Sequence, residues 1–300
     1  MRILITGSKG QLGNELKRLL ETGKAEIGPV PSEYNEANVD YVDYDALDIT
    51  DAAAVESWMS EHAYDLVINC AAMTNVDGCE AAEGAAFKVN AQGPESLARE
   101  CEKQDAKFVQ VSTDYVFPGT DTTPRTEQDP TGPVSAYGRS KLAGELAVRK
   151  ACRKYFIVRT AWLYGYVGKN FVKTMLNLGK TKDEISVVND QLGNPTSAND
   201  LAYEILKIAL TDNYGVYHCT NEGTCSWADF SKAIMEGAGL SCKVNRCTSK
   251  EYKEMNPASA NRPAYSSLEN VHLKTTIGNE MRDWQNALKT YLKNLPELEG

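Results

Sequence analysis

The sequence predicts an α/β protein with a doubly wound parallel sheet and a smaller C-terminal lobe. Short β-branched runs alternate with longer helical stretches through the first 160 residues. A glycine-rich turn joins the first run to the first helix, and the regular alternation fades after about residue 160. Such alternation is typical of a parallel sheet that helices cover on both faces.

Five strands and four helices account for the first part of the chain. The predicted strands are Arg2–Thr6, Val39–Asp43, Tyr64–Asn69, Lys107–Val111 and Tyr155–Arg159. The predicted helices are 11–22, 51–62, 81–104 and 136–153. In the first of them, the leucines at 12, 16, 19 and 20 share one face, which indicates a helix that packs on the sheet.

The rest of the chain predicts a lobe that is interleaved with the last strands of the sheet. Its predicted helices are 170–179, 199–211, 226–238 and 281–294, and its short strands include Ile185–Val188 and Val216–His218. We therefore expect residues 1–160 to form one domain, and residues 161–300 to form mainly the smaller lobe, with segments that return to the sheet.

Composition and charge exclude several classes of protein. The net charge is −9 and Lys and Arg are not clustered, so we expect no nucleic-acid partner. No apolar run approaches the ~20 residues of a membrane span, and Gly7 interrupts the opening segment too early for a signal sequence. Eight cysteines without a CxxC pair and three histidines favour reduced thiols and no metal cluster. The sequence thus predicts a cytoplasmic protein with no membrane partner.

A glycine-rich loop directly follows the first strand and opens the first helix. Gly7, Gly10 and Gly13 have GxxGxxG spacing, with Gln11 and Leu12 between the last two glycines. Such glycines allow a tight turn, close approach of a pyrophosphate and close packing of helix on sheet, while the helix N-terminus offers free N–H groups to phosphates. We therefore expect a Rossmann-like fold, and residues 1–160 to be a dinucleotide-binding domain.

An acidic residue at the end of the second strand would hold the adenosine ribose, and Asp43 is the candidate. A carboxylate there repels a 2′-phosphate, and the residues just after Asp43 supply no cation. Either NADH or NADPH could serve as the cofactor, and NADH is favoured. Asp48 and Ile49 are predicted adenine contacts, or alternatively the cap of the helix that follows; the two roles are compatible.

Tyr137 and Lys141 are four residues apart at the start of a helix, and so share one face. A ketone reductase needs a proton donor for the oxygen that becomes anionic, and a nearby ammonium group favours ionisation of a tyrosine. Thr113 lies at the carboxyl edge of the predicted sheet, where ligands bind in open α/β folds. The Asn69–Ala72 segment, after the third strand, reaches the same edge.

These motifs, in this order, resemble the extended short-chain dehydrogenase/reductase family, within it the reductases of keto groups on nucleotide-activated sugars. The resemblance rests on GSKGQLG (7–13), DIT (48–50), NCAAMTNVDGCE (69–80), STDYVFPG (112–119), SAYGRSKLAGE (135–145), RTAWLYG (159–165), NFVKTM (170–175), VVNDQLGNPT (187–196) and NRPAYSSL (261–268). It implies Thr113, Tyr137 and Lys141 as catalytic residues, the last two also contacting the cofactor. It further implies cofactor contacts at Ala71, Ala72, Met73 and Thr74, and sugar-nucleotide contacts at Thr113, Asp114, Trp162 and Asn189. Arg262 lies in a Pro-flanked loop, which suits a cation that reaches the diphosphate of the substrate and equally an ordinary surface arginine.

Tyr115 argues for reduction, because the related dehydratases carry a glutamate at this position. Two alternatives stay open: a related sugar-nucleotide epimerase, and a non-catalytic regulatory subunit that keeps only cofactor binding. Some family members are metal-bridged dimers. Glu15 could match one of their ligands, but Asn199 stands where another carboxylate would be expected. We therefore expect no metal, and a monomer or a homodimer.

Overall fold

The structure, a computed structural model, describes residues 1–120, 122–257, 260 and 262–298. Asn261, which begins the NRPAYSSL stretch, and the last two residues of the lobe predicted to reach Gly300 lie outside the described residues.

A six-stranded parallel sheet forms the centre of the molecule, in the order β10-β5-β4-β3-β1-β2. In chain order the strands are β1 Arg2–Thr6, β2 Asn38–Val42, β3 Leu66–Asn69, β4 Lys107–Thr113, β5 Tyr155–Thr160, β6 Leu163–Tyr164, β7 Glu184–Val188, β8 Leu192–Gly193, β9 Thr196–Ser197, β10 Gly215–His218, β11 Cys225–Ser226 and β12 Lys243–Cys247. β2 ends one residue earlier than predicted, so Asp43 follows the strand. β4 extends two residues further, to Thr113.

Helices cover both faces of this sheet. They are α1 Gln11–Thr22, α2 Ala52–Glu61, α3 Val76–Ala81, α4 Glu83–Phe87, α5 Gly93–Lys103, α6 Ala136–Ala151, α7 Phe171–Thr181, α8 Ala198–Leu210, α9 Trp227–Gly237, α10 Ser249–Met255, α11 Val271–Thr276 and α12 Trp284–Leu298. One apolar core lies between the sheet, α1 and α8, and a second lies between the sheet, α2, α5 and α6. The doubly wound α/β class is confirmed. In the part of the chain that the structure describes, no helix combines the length and apolarity needed to span a membrane.

The single helix predicted over 81–104 is wrong. The chain forms α3 and α4, breaks at Ala82, and continues through a π-helical segment at Lys88–Gln92 into α5. The bulge places Asn90 in the interior, where its side chain binds both backbone groups of Met73 and the Ser140 hydroxyl on α6. Because these partners lie 17 and 50 residues away, local periodicity could not predict the interruption.

The smaller lobe has its own aromatic core, to which Tyr164, Phe230, Trp284 and Tyr291 contribute. β7 pairs in parallel with β12, a strand that the sequence analysis missed, and α10 and α11 were missed as well. β10 returns to the edge of the main sheet, against β5.

A buried charge network joins the two parts of the chain. The Arg282 guanidinium, just before α12, donates to both carboxylate oxygens of Asp200 at 2.9 and 2.6 Å and to Glu26 at 2.7 Å. Asp200 and Glu26 are almost fully buried. Since an isolated charge is costly in the interior, removing the arginine leaves two carboxylates without compensation.

We predict that Arg282→Met lowers the free energy of unfolding by about 3–5 kcal/mol, because it breaks a buried ion pair. Urea denaturation measures the loss. Arg153→Met is the matched control: Arg153 pairs with Glu102 in solvent, with its side chain 82% exposed, so the expected loss is under about 1 kcal/mol. Equal losses in the two variants would contradict the assigned role of the network.

Candidate active site

A cleft of about 540 Å³ lies at the carboxyl ends of β1, β3, β4 and β5. This is the edge where ligands bind in open α/β sheets. The residues that line it from the glycine loop and the adjoining strand ends are Gly7, Lys9, Gly10, Gln11, Leu12, Gly13, Cys70, Ala72, Thr74, Thr113, Asp114, Tyr115, Tyr137, Lys141 and Thr160. From the smaller lobe, Trp162 and Trp227 contribute.

The glycine loop has the geometry needed to hold a dinucleotide diphosphate. Gly7 has a φ of +65°, and a Cβ there would lie 2.6 Å from the backbone nitrogen of Ala71. At Gly13, a Cβ would overlap the Gly7 carbonyl. Gly10 caps α1, and among the described residues no side chain bonds the amides of the first turn. The loop therefore presents free backbone donors and the positive end of a helix dipole to the cleft.

The fold brings the side chain of Lys9 close to Asp43, although the sequence around Asp43 did not indicate a cation there. The Asp43 carboxylate accepts the backbone N–H of Lys9, from the glycine loop, at 2.9 Å. The Lys9 ammonium in turn binds the Asp45 carboxylate at 2.8 Å. The residues just after Asp43 supply no cation, but the fold supplies Lys9, which is 34 residues away in sequence and adjacent in space.

Asp48 does not cap the helix that follows it, so that alternative is wrong. Asp51 caps α2 by accepting the N–H groups of Ala53 and Ala54, whereas Asp48 accepts the N–H and hydroxyl of Thr50. The Ile49 side chain is buried, and a Cβ on Gly93 would lie 2.8 Å from it. Ile49 could therefore offer an adenine its backbone, but not its side chain.

The segment after β3 is fixed from behind by Asn90. The Met73 N–H donates to the Asn90 side chain at 2.9 Å, and the Met73 carbonyl accepts from it at 3.0 Å. Ala72 and Thr74 line the cleft, while Met73 packs against the buried cluster of Cys79, Ala86 and Ala136. Sequence reasoning missed Asn90, because its importance depends on the π-helical bulge.

Tyr137, Lys141 and Thr113 meet in the cleft, although Thr113 is 24 residues before Tyr137. The Lys141 ammonium donates to the carbonyl of Val111 at 2.7 Å, which holds α6 against β4. The Thr113 hydroxyl donates to the Asp114 carboxylate at 2.8 Å, and it lies close enough to Tyr137 to affect the pKa of the phenol. The arrangement brings a phenol, an ammonium group and a hydroxyl to the same cleft.

Burial dominates the electrostatics of these groups. It lowers the pKa of Lys141 to about 8, and the Glu145 carboxylate opposes that shift. Burial also raises the pKa of Tyr137, and the neighbouring Thr113 hydroxyl lowers it by a smaller amount. A lysine whose pKa is close to neutrality exchanges protons readily, which suits a group that assists acid catalysis.

Asp114 is fully enclosed, and burial raises its pKa to about 6. The Ser266 and Thr113 hydroxyls oppose this shift, and among the described residues the Oδ2 atom has no hydrogen-bond partner of good geometry. A buried acceptor without a partner is uncommon in proteins, and a ligand hydroxyl at the cleft would satisfy it.

Trp162 stacks on Trp227 at the side of the cleft formed by the smaller lobe, with ring centroids 3.5 Å apart and planes inclined by 7°. Trp162 has a φ of +47°, a conformation that side chains rarely adopt, and a Cβ on Gly193 would lie 2.5 Å from its indole ring. The stack on Trp227 and the close approach of Gly193 thus hold a strained residue at the site. Sequence reasoning predicted Trp162 and missed Trp227, which no local motif marks.

The structure does not bring Asn189 or Arg262 to the lining of this cleft. The Asn189 side chain accepts from Arg246 at 2.7 Å and from Ser226 at 3.1 Å. Arg262 lies 3.9 Å from Asp77 on α3, and both side chains are partly exposed. Contact with a ligand through these two residues stays a prediction.

The Glu15 carboxylate binds protein groups. It accepts from Arg18, one turn later, and from the Asn199 amide at 2.5 Å. Within the described ranges, no cluster of three or more His, Cys, Asp or Glu residues could hold a metal ion.

With this geometry in place, the chain can be compared with known proteins. The model of the RmlD substrate binding domain matches residues 1–296. The crystal structure of a dTDP-4-dehydrorhamnose reductase from Clostridium acetobutylicum is 47% identical, with a TM-score of 0.91 over 99% of this chain and 100% of that one. A dTDP-4-dehydrorhamnose reductase from Bacillus anthracis in complex with NADP is 38% identical, with a TM-score of 0.89 over 98% and 99%. A curated dTDP-4-dehydrorhamnose reductase from Escherichia coli is 34% identical over 98% of both chains.

A doubly wound sheet, a glycine loop and a Tyr–Lys pair at the same edge define an NAD(P)H-dependent oxidoreductase of the extended short-chain dehydrogenase/reductase type. Within that class, the chain belongs to the RmlD substrate binding domain family, whose model covers nearly all of it.

Proposed function

We propose that this protein reduces the 4-keto group of dTDP-4-dehydro-L-rhamnose to give dTDP-L-rhamnose, using NADH or NADPH. The observation that carries the proposal is the meeting of Thr113, Tyr137 and Lys141 in a cleft that also contains the glycine loop. Full-length similarity to dTDP-4-dehydrorhamnose reductases supports this choice of substrate.

The residues of the cleft divide the work of such a reduction. The first-turn amides of α1 would hold the cofactor diphosphate and Lys141 its ribose, and when bound the reduced nicotinamide supplies the hydride. Tyr137 donates a proton to the carbonyl oxygen as negative charge develops on it. The Lys141 ammonium stabilises the phenolate that remains, and the Thr113 hydroxyl orients the phenol.

The remaining cleft residues would select and orient the sugar. The unpartnered Oδ2 of Asp114 would accept a sugar hydroxyl, and Trp162 would offer an apolar face to the ring. Tyr115, at the position where dehydratases carry an acid, supplies no carboxyl group for water elimination. Asn189 and Arg262 would contact the nucleotide part of the substrate.

Purified protein, cofactor and dTDP-4-dehydro-L-rhamnose test the proposal, with loss of reduced-nicotinamide absorbance as the signal. We expect turnover with this substrate, and no turnover with any 4-keto sugar nucleotide would refute the substrate assignment. An epimerase would instead interconvert sugars without net oxidation of the cofactor. A regulatory subunit would bind cofactor without turnover and would copurify with a stoichiometric foreign partner.

Two variants separate chemistry from binding. Tyr137→Phe should lower kcat by about 10²–10⁴-fold, because the general acid is lost, and leave cofactor affinity nearly unchanged. Lys141→Ala should lower both kcat and cofactor affinity, since the same ammonium group would bind the cofactor ribose and stabilise the Tyr137 phenolate. Near-normal turnover of Tyr137→Phe would mean that the proton has another source.

We further propose that NADH binds better than NADPH. Lys9 lies between Asp43 and Asp45, so the three charges sum to −1 where a 2′-phosphate would lie. The Lys9–Asp45 pair would have to break before the ammonium group could bind a phosphate. Since the similar Bacillus anthracis protein forms a complex with NADP, we expect NADPH to bind as well, and the preference for NADH to be shallow.

We expect NADH to bind about tenfold more tightly than NADPH, a difference of ~1.4 kcal/mol, in calorimetric titrations of the unmodified protein. Asp43→Ala should narrow the gap, and Tyr44→Arg should reverse it. Asp45→Asn should strengthen NADPH binding selectively, because it releases Lys9. Equal affinities in the unmodified protein would show that Asp43 does not face the ribose.

The chain is proposed to act in the cytoplasm as a monomer or homodimer without a bridging metal. Arg18 and Asn199 occupy the Glu15 carboxylate, which removes a ligand for such a bridge. We therefore expect the sedimentation coefficient to be the same with and without EDTA. A fall in molar mass on chelation would reveal a metal-dependent contact.

A further inference from the structure

The catalytic face of α6 continues one turn beyond Lys141, to Glu145. Tyr137, Lys141 and Glu145 follow at intervals of four residues, so all three lie along one side of the helix. Lys141 binds the carbonyl of Val111, and Glu145 accepts the Ser112 hydroxyl at 2.5 Å. Two successive residues of β4, directly before Thr113, are therefore fixed by two successive turns of α6.

Glu145 is half of a buried ion pair. Arg159 on β5 donates to its two carboxylate oxygens at 2.9 and 2.7 Å, and the two side chains are 2% and 5% exposed. In the sheet register, Arg159 lies opposite Ser112 and Thr160 lies opposite Thr113. The pair is thus directly behind the strand ends that form the cleft.

His218, on β10, lies on the far side of Arg159. Its Nδ1 atom is 3.1 and 3.2 Å from the carbonyls of Arg125 and Glu269, which only accept, so Nδ1 carries the proton. Nε2 then accepts from Arg159 at 3.4 Å. Burial, followed by the Arg159 charge, lowers the pKa of His218 to about 3, so the ring adds no charge at neutral pH.

The cost of removing both charges from water offsets much of their attraction, so this pair is weak evidence for a role in stability alone. Its orientation is informative: the carboxylate lies on the helix of Lys141, and the guanidinium lies one strand further away. A negative charge near an ammonium group favours the charged form, and a positive charge disfavours it. The carboxylate therefore favours the Lys141 ammonium, and the guanidinium moderates that effect.

We propose that Glu145 and Arg159 are positioning residues, which hold Lys141 and Thr113 in register and balance the charge around the Tyr137–Lys141 pair. The inference rests on the proposed reduction. Neither residue lines the cleft, so they act through Lys141 and the end of β4.

Several other ionisable groups face this assembly. The pKa of Lys141 is raised by Cys70, from the segment after β3, and by Cys79, on α3. The pKa of Tyr137 is raised by Asp114, Tyr115 and Cys79. Glu127 accepts the backbone N–H of His218 at 3.0 Å, and the Asp129 charge raises the pKa of the His218 ring. None of them contacts both Lys141 and Arg159 in the described residues, so substitutions in the Glu145–Arg159 pair change the charge balance selectively.

The test compares Glu145→Gln, Arg159→Gln and the double variant over the alkaline limb of the profile of kcat/KM against pH. Activity falls there as the Tyr137–Lys141 pair loses its proton. Removing the negative charge makes that loss easier, so Glu145→Gln should move the midpoint down by about one pH unit. Arg159→Gln leaves Glu145 ionised at alkaline pH and should move the midpoint up. The double variant should return close to the parent.

A purely structural role would give a different pattern. Both single variants would lose stability and activity, and neither midpoint would move, or both would move in the same direction. Glu102→Gln, which removes half of an exposed pair far from the cleft, is the control and should shift nothing. If one single variant does not fold, a difference between the other single variant and the double variant still decides the sign.

A second measurement needs neither cofactor nor substrate. Lysine labelled with ¹³C at Cε reports the titration of Lys141, whose resonance is the one missing from Lys141→Met. The parent should titrate near pH 8, Glu145→Gln lower and Arg159→Gln higher. Unchanged midpoints would overturn the inference even if the enzyme reduces its substrate. Absence of turnover in the parent would refute the proposed function and leave this result intact.

Discussion

The Lys141 ammonium group, bonded to the carbonyl of Val111, fixes α6 against the carboxyl end of β4. The rest of the site depends on this contact. It sets which side chains of the helix meet which residues of the strand, and so brings Tyr137 beside Thr113. A shift of one residue in the strand would turn Thr113 to the opposite face of the sheet. The arrangement of side chains in the cleft therefore depends on the register between a helix and a strand.

The other side of α6 is held by a feature that interrupts regular structure. Gly144 lets α6 approach the Asn90 backbone, which a larger residue would overlap. The π-helical segment around Asn90 turns that side chain inward, where it binds Ser140 and the backbone of Met73. A local interruption of one helix thus fixes both α6 and the loop after β3.

The shape of the cleft also depends on the position of the smaller lobe against the sheet. The Gln11 side chain, at the end of the glycine loop, accepts from the backbone N–H of Gly165 at 2.9 Å and from the Asn170 amide at 3.1 Å. The buried network of Arg282, Asp200 and Glu26 provides a second connection between the sheet and the smaller lobe. Trp162, between β5 and β6, lines the cleft together with the end of β4 and is stacked on Trp227. Polar contacts set the position of the smaller lobe, and its aromatic side chains shape the cleft.

The sequence by itself determined the features whose signal is local. Strand and helix periodicity, the spacing of the glycines and the interval between Tyr137 and Lys141 all lie within a few turns of chain, and they sufficed for the doubly wound class and for the sheet edge that carries the site. Only the tertiary structure decided the contacts between residues far apart in sequence. Lys9 beside Asp43, Trp227 under Trp162, the Glu145–Arg159 pair and the strand β12 beside β7 have no local signature. They arise because the packing of the sheet and its helices brings distant segments together, and side-chain charge and shape matter only after that packing exists.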